Sequence, residues 1–281
     1  MKSLYKIIFA IVILTCWSCT DVVDVETPEA ESRLVVEASI DWEKGTLGNN
    51  QTIKLSTSVP YFDELSNNAA IGASVKITND DTIQEFIFVD QGNGDYTTSI
   101  FTPVLNQSYT LEIIYNGEVF TANETLTPVT DIEEVNQSIT DGFNDEALEV
   151  NVLFNDPINE ENFYFFKFRE QGDLLPELLD ISDEFTNGNQ MKVFFEKEDD
   201  EDINQTEFEP GDIVNIEFFG VSEQYFNYMR LLIEQYGSAG DPFGSVPVPL
   251  KGNCLNTTNS EKYAYGYFRL TQAENQTYTY D

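Results

Sequence analysis

Short apolar segments of strand length, broken at regular intervals by turn residues, constrain this chain more than any other feature. From Arg33 onward, Leu34-Val35-Val36-Glu37-Ala38-Ser39-Ile40 and Gln51-Thr52-Ile53-Lys54-Leu55-Ser56 alternate or cluster apolar residues over strand lengths, and Glu43 to Asn50, with Gly45 and Gly48, turns between them. Five more segments follow: Ala73 to Thr78, Glu85 to Val89, Tyr96 to Ile100, Ser108 to Tyr115 and Glu118 to Leu126. Asn116-Gly117 is the strongest hairpin signal, because a type I′ turn needs positive φ at both central residues. Seven strands within about a hundred residues predict an immunoglobulin-like or prealbumin-like sandwich over 33–128, with Tyr109 at a tyrosine-corner position.

Pro128 to Glu134 reads as the link to a second β-rich unit over 129–281. Its predicted strands are Ala147 to Asn155, Phe163 to Arg169, Met191 to Glu196, Ile213 to Gly220, Tyr263 to Leu270 and Gln276 to Tyr280. One helix interrupts them, over about 222–236. Tyr225, Phe226, Met229, Leu232, Ile233 and Tyr236 share a face at helical spacing, with Ser222 as N-cap, Glu223 in the first turn and Gly237 just past the end. Such a stripe marks a helix packed on a sheet, and the fold class is all-β with one packed helix.

The first 18 residues differ in kind. Lys2 and Lys6 precede the apolar run Ile7 to Leu14, which is too short to span a bilayer, and Ser18 stands before Cys19. This layout reads as a lipoprotein signal with Cys19 as the acylated residue, followed over 19–32 by an acidic tether that begins Thr20-Asp21-Val22-Val23-Asp24-Val25-Glu26. Cleavage after Ser18 leaves 12 bases against 50 acids, a formal charge of −38, on about 260 residues. That surface repels nucleic acid and anionic lipid, and the bases are scattered singly, so nucleic-acid binding is excluded. With 41% hydrophobic and 13% aromatic residues the chain has material for a core, so its charge belongs to a solvated face.

Histidine is absent, which removes the Ser-His-Asp and Cys-His arrangements and every His-containing zinc site. Cys254, the one thiol expected after processing, reads as a small core hydrophobe. The run Glu196-Lys197-Glu198-Asp199-Asp200-Glu201-Asp202 is the one cluster that suits a hard cation, with Glu198, Asp199, Asp200 and Asp202 as weak calcium candidates. It fails the EF-hand pattern, since Gln205 occupies the glycine position and Gly211 the position of the bidentate acid, and like charges in sequence form a solvated loop. The loop Asp241-Pro242-Phe243-Gly244 through Pro249 and an alternating row of Tyr263, Tyr265 and Tyr267 are open to binding or to packing roles. No cofactor is expected, and no catalytic motif is present.

Several short stretches in order resemble one family. They are Cys19 to Val25, Arg33-Leu34-Val35-Val36-Glu37-Ala38, Leu55-Ser56 before Pro60-Tyr61-Phe62, Gly72 to Ile77, Asn155-Asp156-Pro157 before Asn162-Phe163-Tyr164-Phe165, Asp241-Pro242-Phe243, Gly252-Asn253 and Gly266-Tyr267-Phe268. Together they look like the Bacteroidota lipoproteins grouped as domain of unknown function family 4249. The resemblance implies a lipid-anchored protein of the outer membrane facing the cell surface, acting as a non-enzymatic accessory or substrate-capture partner of a TonB-dependent receptor. The alternatives are a structural or adhesive envelope module and a carboxylate-based hydrolase. The family offers no catalytic residues to carry over.

Overall fold

The computed structural model describes residues 31–60, 68–158, 160–199, 205–238 and 249–281. The first half contains β1 (Leu34–Glu43), β2 (Gln51–Thr57), β3 (Ser74–Asn79), β4 (Gln84–Asp90), β5 (Asp95–Thr98), β6 (Ser108–Tyr115) and β7 (Glu118–Thr125). Then follow β8 (Ile132–Ser138), β9 (Glu149–Asn155), β10 (Phe163–Glu170), β11 (Glu177–Ser182), β12 (Gln190–Glu196) and β13 (Ile213–Val221). The helix α1 (Glu223–Gly237), β14 (Leu255–Asn256) and β15 (Tyr265–Thr279) complete the chain. Among the described residues the protein is thus all-β with one helix, as its patterning predicts.

Twelve strands form one curled sheet in the order β11-β10-β13-β15-β1-β2-β5-β4-β3-β6-β7-β14, and β12-β9-β8 form a second. The alternation in β1 sends Leu34, Val36, Ala38 and Ile40 inward. They meet Ile53 and Leu55 of β2, Ile77 of β3 and Leu111 and Ile113 of β6 in the first core. Tyr109 is fully buried and its hydroxyl accepts from Val104 N at 2.9 Å, so it ties β6 to the preceding loop as a tyrosine corner does. The turn after β6 has φ of 51° at Asn116 and 79° at Gly117, as the hairpin signal requires.

The second core lies between β9 and β12 on one side and β10 and β13 on the other. Aromatic rings fill it: Phe166 stacks on Phe218 at 4.3 Å, and Phe154 lies 4.8 Å from Phe218. β10 is apolar on both faces because both are covered. Tyr164, Phe166 and Phe168 enter the second core, while Phe165 turns outward to the helix with Phe219, Tyr225, Phe226 and Met229. Ser222 caps α1 by accepting from Tyr225 N at 3.2 Å. The helix ends one residue later than its spacing predicts, with Gly237 its last residue, and Leu232 and Tyr236 of the predicted stripe are exposed where α1 runs past the sheet.

Two segments read as separate strands form one. β15 runs from Tyr265 to Thr279, pairing in parallel with β1 through Val35↔Tyr265 to Glu43↔Ala273 and then antiparallel with β13 through Phe219↔Ala273 to Ile213↔Thr279. Its first half, with Cys254 and Ala264, belongs to the first core, and Tyr280 beyond its end to the second. The segment taken for a linker also contains part of a strand, β8, paired with β9 across an irregularity at Ile132/Glu134.

The crossing between the halves is tight. Thr127 N donates to Leu270 O at 3.3 Å and Gln272 N to Thr127 O at 2.8 Å, and a Cβ on Gly220 would lie 1.9 Å from Pro128 O. Only glycine permits that backbone approach. Gly220→Ala is expected to cost about 2–3 kcal/mol through forced displacement of the crossing, seen as a lower urea midpoint at unchanged slope. An unaltered midpoint would contradict this account.

Candidate functional site

The sequence-predicted positions come together only in part. Cys19, the loop 241–248, Asp200 and Asp202 lie outside the described residues. Glu198 and Asp199 are exposed; the Glu198 carbonyl accepts from the Gln205 side chain at 2.9 Å, and Asp199 Oδ1 accepts from Glu207 N at 2.9 Å. Both hold a loop return. Their neighbour Lys197 is buried and paired with Glu170 and, at 2.9 Å, with Asp173. Among the described residues, no group of three or more His, Cys, Asp or Glu side chains is placed to hold a metal. Cys254 is a core residue whose thiol is pushed up to about 12 by burial, which removes its nucleophilicity at neutral pH.

The tyrosine row divides. Tyr267 packs under the helix, 5.1 Å from Tyr225 and 4.9 Å from Tyr228. Tyr263 and Tyr265 stay half-buried in an edge-on pair, and the Arg33 guanidinium lies 3.9 Å from the Tyr263 ring centroid. Lys251 Nζ lies 4.4 Å from the same ring centroid, so Tyr263 is engaged by two cations.

Further buried charges serve the scaffold. Arg269 on β15 donates to both carboxylate oxygens of Asp41 on β1 at 2.8 and 2.9 Å, and its guanidinium lies 4.6 Å from the Phe219 ring and 5.0 Å from Tyr225. Removing one partner of such a pair costs about 3–5 kcal/mol. Glu149 and Glu196 face each other across β9 and β12, but the loop between β8 and β9 covers them. Glu149 accepts from Ser138, Thr140 N and Asp141 N, and Glu196 from Phe143 N at 2.9 Å. A Cβ on Gly142 would lie 1.9 Å from Glu196 Oε2, so no substrate reaches this acid pair from that side. Glu124 of β7 accepts from the hydroxyls of Ser222 at 3.1 Å and Tyr267 at 3.3 Å, which ties the first half to the helix cap.

An open hollow lies on the outward face of β2, β5 and β4. It has a volume of about 620 Å³ and is lined by Ile87, Val89 and Ile100, with Asn50, Thr52, Thr97 and Ser99 around them. The three aliphatic side chains are 54%, 60% and 63% exposed. None of the lining residues is ionisable, although the chain carries 50 acids. Such a surface binds through apolar contact and through hydroxyl and amide hydrogen bonds, and it supplies no proton donor or acceptor near neutral pH. A signal for it was present in β4, where Phe86-Ile87-Phe88-Val89 is apolar on both faces although only Phe86 and Phe88 point inward.

The family described as "Domain of unknown function (DUF4249)" matches residues 20–277, and the chain belongs to it. The comparison with curated proteins found no match. Among solved structures, similarity is recorded to a cytokine receptor complex (11% identity, 66% of this chain and 82% of that one, TM-score 0.25). It extends to the chicken CNTN1 FN1–FN3 domains (11%, 66% and 62%, TM-score 0.24) and a two-domain fibronectin type III segment of chicken tenascin (11%, 60% and 83%, TM-score 0.21). The match spans less than two thirds of the CNTN1 chain.

Glu124 makes the junction between β7 and the helix cap pH-sensitive. Burial holds its carboxyl above the ordinary value of 4.5, against the lowering effect of its hydrogen bonds. The folded state therefore keeps the proton that the unfolded chain releases. The contribution of this position to stability is greatest below about 4.5 and declines as pH rises through the raised value. Glu124→Gln retains partners for both hydroxyls and is expected to remove that decline. The stability of the variant relative to the parent should rise between about pH 4 and pH 8 in urea titrations, and parallel pH profiles would refute the assignment.

Proposed function

We propose that this DUF4249 protein is an outer-membrane lipoprotein, anchored through acylated Cys19 and facing the cell surface, that captures substrate for, or docks on, a TonB-dependent transporter without catalysing a reaction. The observation that carries the reading is the uncharged aliphatic hollow formed by Ile87, Val89 and Ile100 on a chain of formal charge −36. An exposed apolar patch set within a polar, charged surface is what an interaction site requires. The leader ending in Ser18-Cys19 supports the address.

Two measurements test the reading in cells that make the protein naturally. Cys19→Ser is expected to abolish incorporation of labelled palmitate and to release the protein from the membrane fraction. The pair Ile87→Asp and Val89→Asp, both at exposed positions, is expected to lower recovery of a β-barrel receptor after cross-linking by about tenfold or more and to reduce uptake as deletion does. Unchanged uptake on deletion, together with failure to recover any β-barrel partner, would refute the transport role. Altered surface attachment under those conditions would instead identify an adhesive module.

A further inference from the structure

A second site of distinct chemistry lies in the other half of the molecule, where the ends of β9, β10 and β11 meet. Asp156, just beyond β9, is buried; its Oδ1 accepts from the Tyr164 hydroxyl at 2.5 Å and its Oδ2 from Gly188 N at 2.8 Å. Asp183, just beyond β11, is completely buried, and its carboxyl lies within hydrogen-bonding reach of that of Asp156. The loop that follows β11 is folded onto this pair. Thr186 N donates to Asp183 O at 2.7 Å, Asn189 N to Thr186 O at 2.9 Å, and Asp156 N to Asn189 O at 3.0 Å. Asn162 stands opposite Asp183 at the end of the β10–β11 ladder, with Asp183 N donating to Asn162 O at 3.2 Å.

The hydrogen bonding here is incomplete in a specific way. Both carboxylate oxygens of Asp183, Oδ1 of Asn162 and Oγ1 of Thr186 are buried and receive no hydrogen bond. All four are oxygens and none is a nitrogen donor left without a partner; the Thr186 hydroxyl can donate as well as accept. Two carboxyl groups this close and this dry cannot both carry charge uncompensated. Burial, then the neighbouring Asp156, hold the Asp183 carboxyl above its ordinary range. A shared proton relieves the repulsion but satisfies one acceptor and leaves the others orphaned. A cation satisfies them together.

We propose that Asp156, Asp183, Asn162 and Thr186 form a calcium site that fastens the loop after β11 onto the end of β9. The donor set contains only oxygen and no histidine or thiolate, which selects a hard divalent ion. Calcium accepts six to eight such ligands in irregular geometry, so backbone carbonyls and water complete the shell, whereas magnesium demands a near-ideal octahedron. With two acids the site is expected to bind weakly, with Kd on the order of 10⁻⁴–10⁻³ M, in the range of extracellular modules.

The test is thermal unfolding of the full chain after chelator treatment, with calcium chloride or magnesium chloride added to about 10 mM, for the parent protein and for Asp183→Asn. Calcium is expected to raise the Tm of the parent by roughly 3–10 °C more than magnesium does, and Asp183→Asn to lose that excess. Asn162→Ala, which keeps both acids, is expected to weaken calcium binding by about tenfold and provides the readout if Asp183→Asn does not fold. Equal responses to the two salts, or an excess that survives Asp183→Asn, would mean screening of the acidic surface and would overturn the proposal. It is also overturned if calcium has no effect while Asp183→Asn raises the Tm at neutral pH, the signature of a shared proton.

Discussion

The structure depends on the pairing of β15. One strand of 15 residues lies beside β1 for its first part and beside β13 for its second, so the first and second cores share a backbone element. Each core is incomplete without it: Phe268 and Leu270 fill the first, and the sheet that closes the second is joined through β13. A strand common to two cores transmits displacement between them far better than a flexible link, because its hydrogen bonds leave no free torsions to absorb the movement. Glycine at two close approaches allows this geometry. Gly266, at φ 83°, sets its Cα against the Val36 carbonyl, and Gly220 admits the Pro128 backbone.

Electrostatics follows the same seam. Arg269, on the shared strand, is enclosed by Asp41 of β1 and the rings of Phe219 and Tyr225, so one cation joins β1, β13 and the helix. With 14 bases against 50 acids, the chain commits scarce cations to interior positions, Lys197 being another. Several acids are instead neutralised by backbone amides, hydroxyls or protonation, as Glu149, Glu196 and Glu124 illustrate. The hollow on β4 contrasts with these charged positions, since none of its lining residues is ionisable.

Local patterning made most of the elements legible. β6 is read to the residue, and β1, β2, β10 and β13 within three, because each shows clear alternation or a continuous apolar run. β8 was hidden because Ile132-Glu133-Glu134-Val135 does not alternate, its bulge displacing the inward positions by one. β11 was missed because it lies at the edge, where Glu177 and Asp180 can remain partly solvated. β15 was read as two strands because Thr271, Gln272, Glu274 and Asn275 are polar, and what keeps it extended is pairing with β1 and β13 rather than its own composition. The site residues were less visible. Ile87 and Val89 look like core positions in sequence, and the meeting of Asp156 with Asp183 depends on a loop closure that no local pattern encodes.

The placement of β15 also has a kinetic side. Val35 and Tyr265 are direct neighbours in the sheet although some 230 residues separate them, a distance also spanned by the bond from Arg269 to Ser39. A chain delivered from its N-terminus presents β1 long before its parallel partner exists, so one side of β1 waits as an open edge until β15 arrives. Closing so long a loop before any contact repays it slows folding.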